Sequence, residues 1–400
     1  MPVSTHGGSI RYGAVYAAVY LGTGIATPYM PTWFRSNGLD GMQIGVVLAL
    51  PMLGRIVTGP LIALWADGFR ERRTPILLLL LTAAAAFTLL LPASSVPVVA
   101  FLWFVAATSI SGVSPLIDVV VLRRAAGERF TYAVPRGIGS AAYVAGNVGV
   151  GLLLVPYGAA IAVIGSAAAA LLSAVAVRLL LPADAVHEGD APGLRERTAA
   201  FRALFSDRRL MLIILAAGLI QGANAFYFSF STLISRAQGV GSGTIGLLWG
   251  LGVACEVAFL WFGEPWRRKI GPERMLMVAA AASIVRWLLL AMAPPLWALW
   301  LLQALHALTL SAPFIAALQL IDRMTPRGSA SAAQQVNAAF SSGLVMGCAT
   351  LLGGALYDEV GSLVYLLMAL MAALGLAAWT AQRRLKSDQP AALALVRTPG

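Results

Sequence analysis

Apolar residues run along this chain in stretches of about twenty, parted by short polar breaks. A bilayer core of ~30 Å needs about twenty apolar residues per helix. Twelve such stretches are predicted: 12–33, 43–65, 75–93, 97–121, 136–156, 158–181, 210–233, 243–263, 275–293, 296–320, 332–356 and 360–381. Little chain falls outside them, so the pattern predicts an all-α membrane protein with no soluble domain. The first stretch continues past Pro28 and Pro31. It is too long for a signal-peptide core, and no small-residue cleavage site follows it.

The pattern repeats. Residues 35–45 and 236–246 align without a gap, and Arg35, Gly38, Ile44 and Gly45 coincide with Arg236, Gly239, Ile245 and Gly246. Each stretch joins the first two helices of one half. Six helices per half give parallel repeats about an axis along the membrane normal, as in two-bundle transporters. The expected units are a six-helix bundle over 1–181, a cytoplasmic linker over 182–209, a second bundle over 210–385 and a tail over 386–400. In the linker Leu194, Phe201, Leu204 and Phe205 either form one face of a helix on the inner leaflet or belong to a plain solvated segment.

Composition agrees. Hydrophobic residues make up 59% and charged residues 11%, against about 45–50% and ~25% in soluble proteins. The net charge of +11 does not read as nucleic-acid binding, because it is sorted by loop. Arg70, Arg72, Arg73, Arg123, Arg124 and Arg178 lie on one side, with most other basic residues. The opposite loops hold only Arg35 and Arg236. The positive-inside rule then places both termini in the cytoplasm, with the basic side against anionic lipid. Cys255 and Cys348 lie within spans and have no metal-site spacing. No esterase, phosphate-loop or metalloprotease motif occurs, so neither an enzyme nor a cofactor or metal is expected.

Against that apolar background, six ionisable residues lie within or at the ends of the spans: Arg55, Asp118, Arg136, Glu256, Arg286 and His306. A charge at membrane depth costs at least ~2.5–3.5 kcal/mol, so it faces a polar interior and has a partner or a task. Glu256, mid-span, is a candidate proton carrier, or one half of a static ion pair with Arg286. Arg286 stays charged at any relevant pH. His306 is a switch near neutral pH or a hydrogen-bonded core residue. Asp118 and Arg136, eighteen residues apart, flank the loop after span 4 and form a substrate contact or a structural bridge. Arg55 carries charge for an anion or pairs with Asp118. Gln221, Asn224 and Tyr227, three residues apart, share a face that lines a cavity or glues helices together.

The architecture resembles the major facilitator superfamily. Its basic loop after span 2 is matched by Ala63-Leu-Trp-Ala-Asp67-Gly-Phe-Arg-Glu-Arg72-Arg73, with Ala63 and Arg70 where the motif has glycines. The resemblance implies a gating role for Asp67, Arg72 and Arg73. Further strings resemble the phenylpropionate permease branch, itself similar to lactose permease and the nucleoside/proton symporters. They include Pro28-Tyr-Met-Pro-Thr-Trp-Phe34, Pro115-Leu-Ile-Asp118, Tyr132-Ala-Val-Pro-Arg136 and Gln303-Ala-Leu-His306. The lactose permease pattern implies substrate binding by Asp118, Arg136 and Tyr143, and proton coupling by Glu256, Arg286 and His306. Thr309 and Gln303 stand where that pattern has an acid and a lysine. The resemblance implies a functional monomer in a bacterial inner membrane that imports a small organic solute, an aromatic or other carboxylic acid, with protons. A sugar or nucleoside symporter and a non-transporting sensor are the alternatives.

Overall fold

The computed structural model describes residues 6–128, 130–183, 207–325 and 330–384. The linker face at Leu194, Phe201, Leu204 and Phe205 and the tail 386–400 lie outside them. The first half holds α1 (His6–Ser36), α2 (Gly41–Asp67), α3 (Arg73–Leu90), α4 (Val96–Glu128), α5 (Ala133–Tyr157) and α6 (Ala160–Leu180). Every predicted span of this half is a helix. The start of α2 shows why the repeated stretch at 35–45 matters. Asp40 accepts the Gln43 backbone N–H at 2.8 Å, and the Gln43 side chain accepts the Asp40 N–H at 3.1 Å. This reciprocal cap satisfies two donors that a helix start leaves over.

The second half is more broken. It holds α7 (Arg208–Gly222), α8 (Ala225–Ala237), α9 (Ser242–Phe262), α10 (Glu264–Ala291), α11 (Leu296–Ala304), α12 (His306–Thr309) and α13 (Ser311–Met324). Then come α14 (Ala330–Ala338), a π-helical stretch (Ala339–Val345), α15 (Met346–Val360) and α16 (Tyr365–Arg384). The predicted span 210–233 is interrupted at Ala223–Asn224, and 296–320 at Leu305 and Leu310. Hydropathy could not show these breaks, because the residues on either side stay apolar. Among the described residues nine helical stretches are long and apolar enough to cross a membrane. The bent stretch Leu296–Met324 (49°) makes a tenth.

The halves share one core at one end and keep separate cores at the other. Met30, Phe34 and Leu48 pack in one cluster with Phe226, Phe230 and Met368. Toward the opposite end Tyr12, Leu80 and Val120 form a core within the first half, and Ile214, Met275 and Trp379 another within the second. At the shared end Arg35 grips Asp358 across the halves at 2.7 and 3.3 Å, and Asp358 also accepts the Gly41 N–H at 2.5 Å. Beside this latch α2 meets α15 through glycines: a Cβ on Gly354 would lie 2.6 Å from the Gly41 carbonyl oxygen and from the Gly45 Cα. The second seam, α5 against α9, is equally close, with Gly246 on the Asn147 carbonyl and Gly151 on the Ser242 carbonyl. Ser242 and Gly246 are the counterparts of Gly41 and Gly45 in the repeat. Past the seam α2 is largely exposed from Arg55 to Trp65.

Candidate functional site

A cavity of about 500 Å³ opens between the halves beneath the shared core. Most of its wall belongs to the first half, and Phe228, Ser229 and Ser342 close it from the second. Arg55, Asp118 and Arg136 all line it, alongside the aromatic rings of Phe87, Trp103 and Phe228. Two cations face one carboxylate. Arg136 lies 3.7 Å from Asp118. Around this pair stand three tyrosines. Tyr16 and Tyr132 donate to Asp118, Tyr132 at 2.7 Å, and the Arg136 guanidinium meets the Tyr20 hydroxyl and lies over its ring at 5.0 Å. Sequence reasoning missed these tyrosines, because no spacing marks a tyrosine hydroxyl as the partner of a distant charge.

Arg55 does not pair with Asp118, whose Oδ1 is engaged by Arg136, Tyr16 and Tyr132. Among the described residues no hydrogen bond or ion pair engages it. Asp118 itself lies well inside a helix, since α4 runs on to Glu128. An Arg124–Glu128 pair at 3.6 Å and the Tyr12 hydroxyl, which donates to Glu128 at 3.0 Å, extend the helix past the predicted end at 121.

The predicted residues of the second half lie outside the cavity wall. Arg286 is fully buried (0% exposed), so it adds no charge to the cavity. Its guanidinium donates to Thr309 Oγ1, Gln303 Oε1 and His306 Nδ1, each at 2.8 Å. It also lies over the Tyr227 and Trp287 rings at 4.7 and 4.8 Å. Thr309 and Gln303 thus offer neutral oxygens to the cation. His306 Nε2 lies 3.0 Å from Glu256 Oε1, and Ser311 donates to Glu256 Oε2 at 3.2 Å.

The direction of these bonds assigns the tautomer. A guanidinium only donates, so His306 Nδ1 accepts and the ring proton sits on Nε2, facing Glu256. A second proton on His306 would point at Arg286, so this arrangement holds the imidazole neutral. Glu256 and Arg286 do not form the direct ion pair considered from sequence; His306 stands between them.

The helix breaks build this chain. Asn224, between α7 and α8, donates to the Gln221 carbonyl at 3.0 Å and the Thr309 carbonyl at 2.9 Å, and accepts from Thr309 Oγ1 at 3.3 Å. His306 and Thr309 lie on the one-turn helix α12. Breaks in membrane helices free backbone groups for such use. Gln221 and Asn224 therefore face the interior of the second half, and Tyr143 of α5 is likewise outside the cavity wall.

At the far end Arg73 reaches Glu71 at 3.3 Å and the Arg178 carbonyl at 3.4 Å, both in its own half. Asp67 makes no hydrogen bond or ion pair among the described residues. The contacts of Arg73 thus stay within the first half.

A model described as the MFS_1 like family matches residues 9–367. The chain is 28% identical over 364 residues to the probable 3-phenylpropionic acid transporter of Escherichia coli (strain K12), covering 89% of this chain and 93% of that one. It is 27% identical over 366 residues to maltose permease of Geobacillus stearothermophilus, covering 90% and 91%. Among solved structures it is similar in fold to the nucleoside transporter NupG, with a TM-score of 0.81 at 16% identity, covering 95% of this chain and 100% of that one.

Proposed function

Because this chain belongs to the MFS_1 like family of membrane transporters, we propose that it imports a small carboxylic acid, preferentially an aromatic one, together with protons. The observation that carries this reading is Arg55, an unpaired cation on the wall of a 500 Å³ cavity that also presents Phe87, Trp103 and Phe228. A guanidinium without a partner at membrane depth is costly, and a carboxylate satisfies it by a charge-assisted fork. The aromatic walls suit a flat apolar body. Likeness to a probable 3-phenylpropionic acid transporter supports the same class. The positive-inside sorting places the basic end in the cytoplasm, so the shared core and the Arg35–Asp358 latch close the outside and the cavity opens inward. An undone Asp67 gate fits that state. Glu256 carries the coupling proton, because Thr309 and Gln303 leave it the one carboxylate in the buried chain.

The test is uptake into proteoliposomes of this protein. Arg55→Gln raises the KM for 3-phenylpropionate about 10- to 100-fold, the range expected for one charged hydrogen bond of ~1.5–3 kcal/mol. An unchanged KM would remove Arg55 from the site. A second reading, a neutral sugar or nucleoside, draws on the hydroxyls of Ser111, Ser114 and Ser173 that also line the cavity. Maltose or uridine carried tightly, with no competition from carboxylates, would establish it. Binding without flux would mark a sensor.

A further inference from the structure

We infer that Phe228 couples occupancy of the cavity to the buried proton chain: a bound solute braces its ring from one side and so holds His306 between Arg286 and Glu256. The inference rests on the proton-coupled reading above and names the residue through which substrate and proton meet.

Phe228 is the point where the two parts of the site touch. Its ring lines the 500 Å³ cavity on one side. On the other it meets the His306 ring at 5.9 Å and 80°, edge against face. The rest of the His306 surroundings is fixed. Arg286 holds Nδ1 and Glu256 receives the Nε2 proton. Tyr227 packs at 5.4 Å, and Gly252 leaves so little room that a Cβ would lie 3.2 Å from His306 Cδ2. Phe228 is the wall with open space behind it. Its backbone is anchored one turn from the helix break, where its N–H donates to the Asn224 carbonyl at 3.0 Å. The side chain can therefore swing while the backbone stays.

The charged and titratable groups around His306 are Arg286 on α10, Glu256 on α9 and Tyr227 on α8. Tyr143 of α5 lies within electrostatic reach of Glu256. Arg55, Asp118 and Arg136 face the cavity from the first half. None of these touches both the cavity and the His306 ring. With the cavity empty, Phe228 can rotate into it and His306 loses its packing on that side. With a solute present that rotation is blocked, and the bond from Nε2 to the Glu256 carboxylate is held. Phe228 is thus a positioning residue, acting on the proton through His306.

The experiment measures protons and 3-phenylpropionate entering proteoliposomes together, and reports their ratio. Phe228→Ala weakens substrate binding, since a ring is lost from the cavity, but it also lowers the proton-to-substrate ratio at least about twofold. Phe228→Tyr, which keeps the ring edge, restores the ratio. A raised KM at an unchanged ratio would make Phe228 a plain wall residue and overturn the inference, as would failure of Phe228→Tyr to restore coupling. Should Phe228→Ala not reach the membrane, Phe228→Leu fills the space without a ring edge and is read by the same criterion. Wild-type protein that moves substrate without protons would end the coupling reading itself, and this inference with it.

Discussion

Glu256→Gln abolishes accumulation of substrate against its gradient when a pH difference is applied, yet leaves exchange of labelled for unlabelled substrate running. The amide keeps the geometry of the buried chain. Its oxygen accepts the His306 Nε2–H in place of Oε1, and its NH2 group faces Ser311, whose hydroxyl accepts as readily as it donates. What disappears is the ability to bind and release a proton. No other group in the chain takes over: Arg286 stays charged, His306 is held neutral by the guanidinium on Nδ1, and Thr309 and Gln303 do not ionise. Arg55 and the cavity wall are untouched, so substrate still enters and leaves. Accumulation in the variant equal to wild type would move the proton site elsewhere. Loss of exchange along with accumulation would show Glu256 to be structural.

Gly354→Val stops turnover by holding the latch end open. The seam between α2 and α15 has no space for a side chain, and the clashing atoms are backbone: the Gly41 carbonyl oxygen and the Gly45 Cα, both 2.6 Å from the added carbon. Backbone in a packed helix cannot give way as a flexible side chain does, so the helices must separate. Uptake should fall by more than about tenfold, corresponding to ~1.4 kcal/mol or more on the closing step. Leu48, now buried in the shared core, reports the opening. As a cysteine, with Cys255 and Cys348 replaced by Ser, it should react with an impermeant maleimide from the latch side much faster when Gly354 is enlarged. Gly149 of α5 has nothing within 4 Å of an added carbon, so Gly149→Ala serves as the silent control. Normal uptake by Gly354→Val would mean that turnover does not need this seam to close.

The helical membrane fold was legible because twenty-residue apolar stretches admit few other structures. The repeat was legible at its most constrained place. Gly45 and Gly246 coincide in sequence because both helices approach a partner backbone there. The buried chain was legible in part: Glu256, Arg286 and His306 stand out against leucine and alanine. Their order within it was not, since no spacing rule places a histidine between an arginine and a glutamate on three different helices. Asn224 read as a cavity residue because the break that turns it inward leaves no mark in hydropathy. Tyr16, Tyr20 and Tyr132 carried no distinguishing signal in the sequence, although their hydroxyls engage Asp118 and Arg136. That difference needed side-chain positions, and it shifts the expected anion contact from Arg136 toward Arg55.

The Arg35–Asp358 latch adds a dependence on the surrounding medium. The two side chains are 43% and 37% exposed, so their attraction acts through water. Such pairs are worth up to about 1 kcal/mol and are screened over ~10 Å at 0.1 M salt. In dilute medium the latch end is held shut more firmly, and in brine it parts more readily. The balance between the two ends of this protein is thus set partly by the ionic strength that the latch meets.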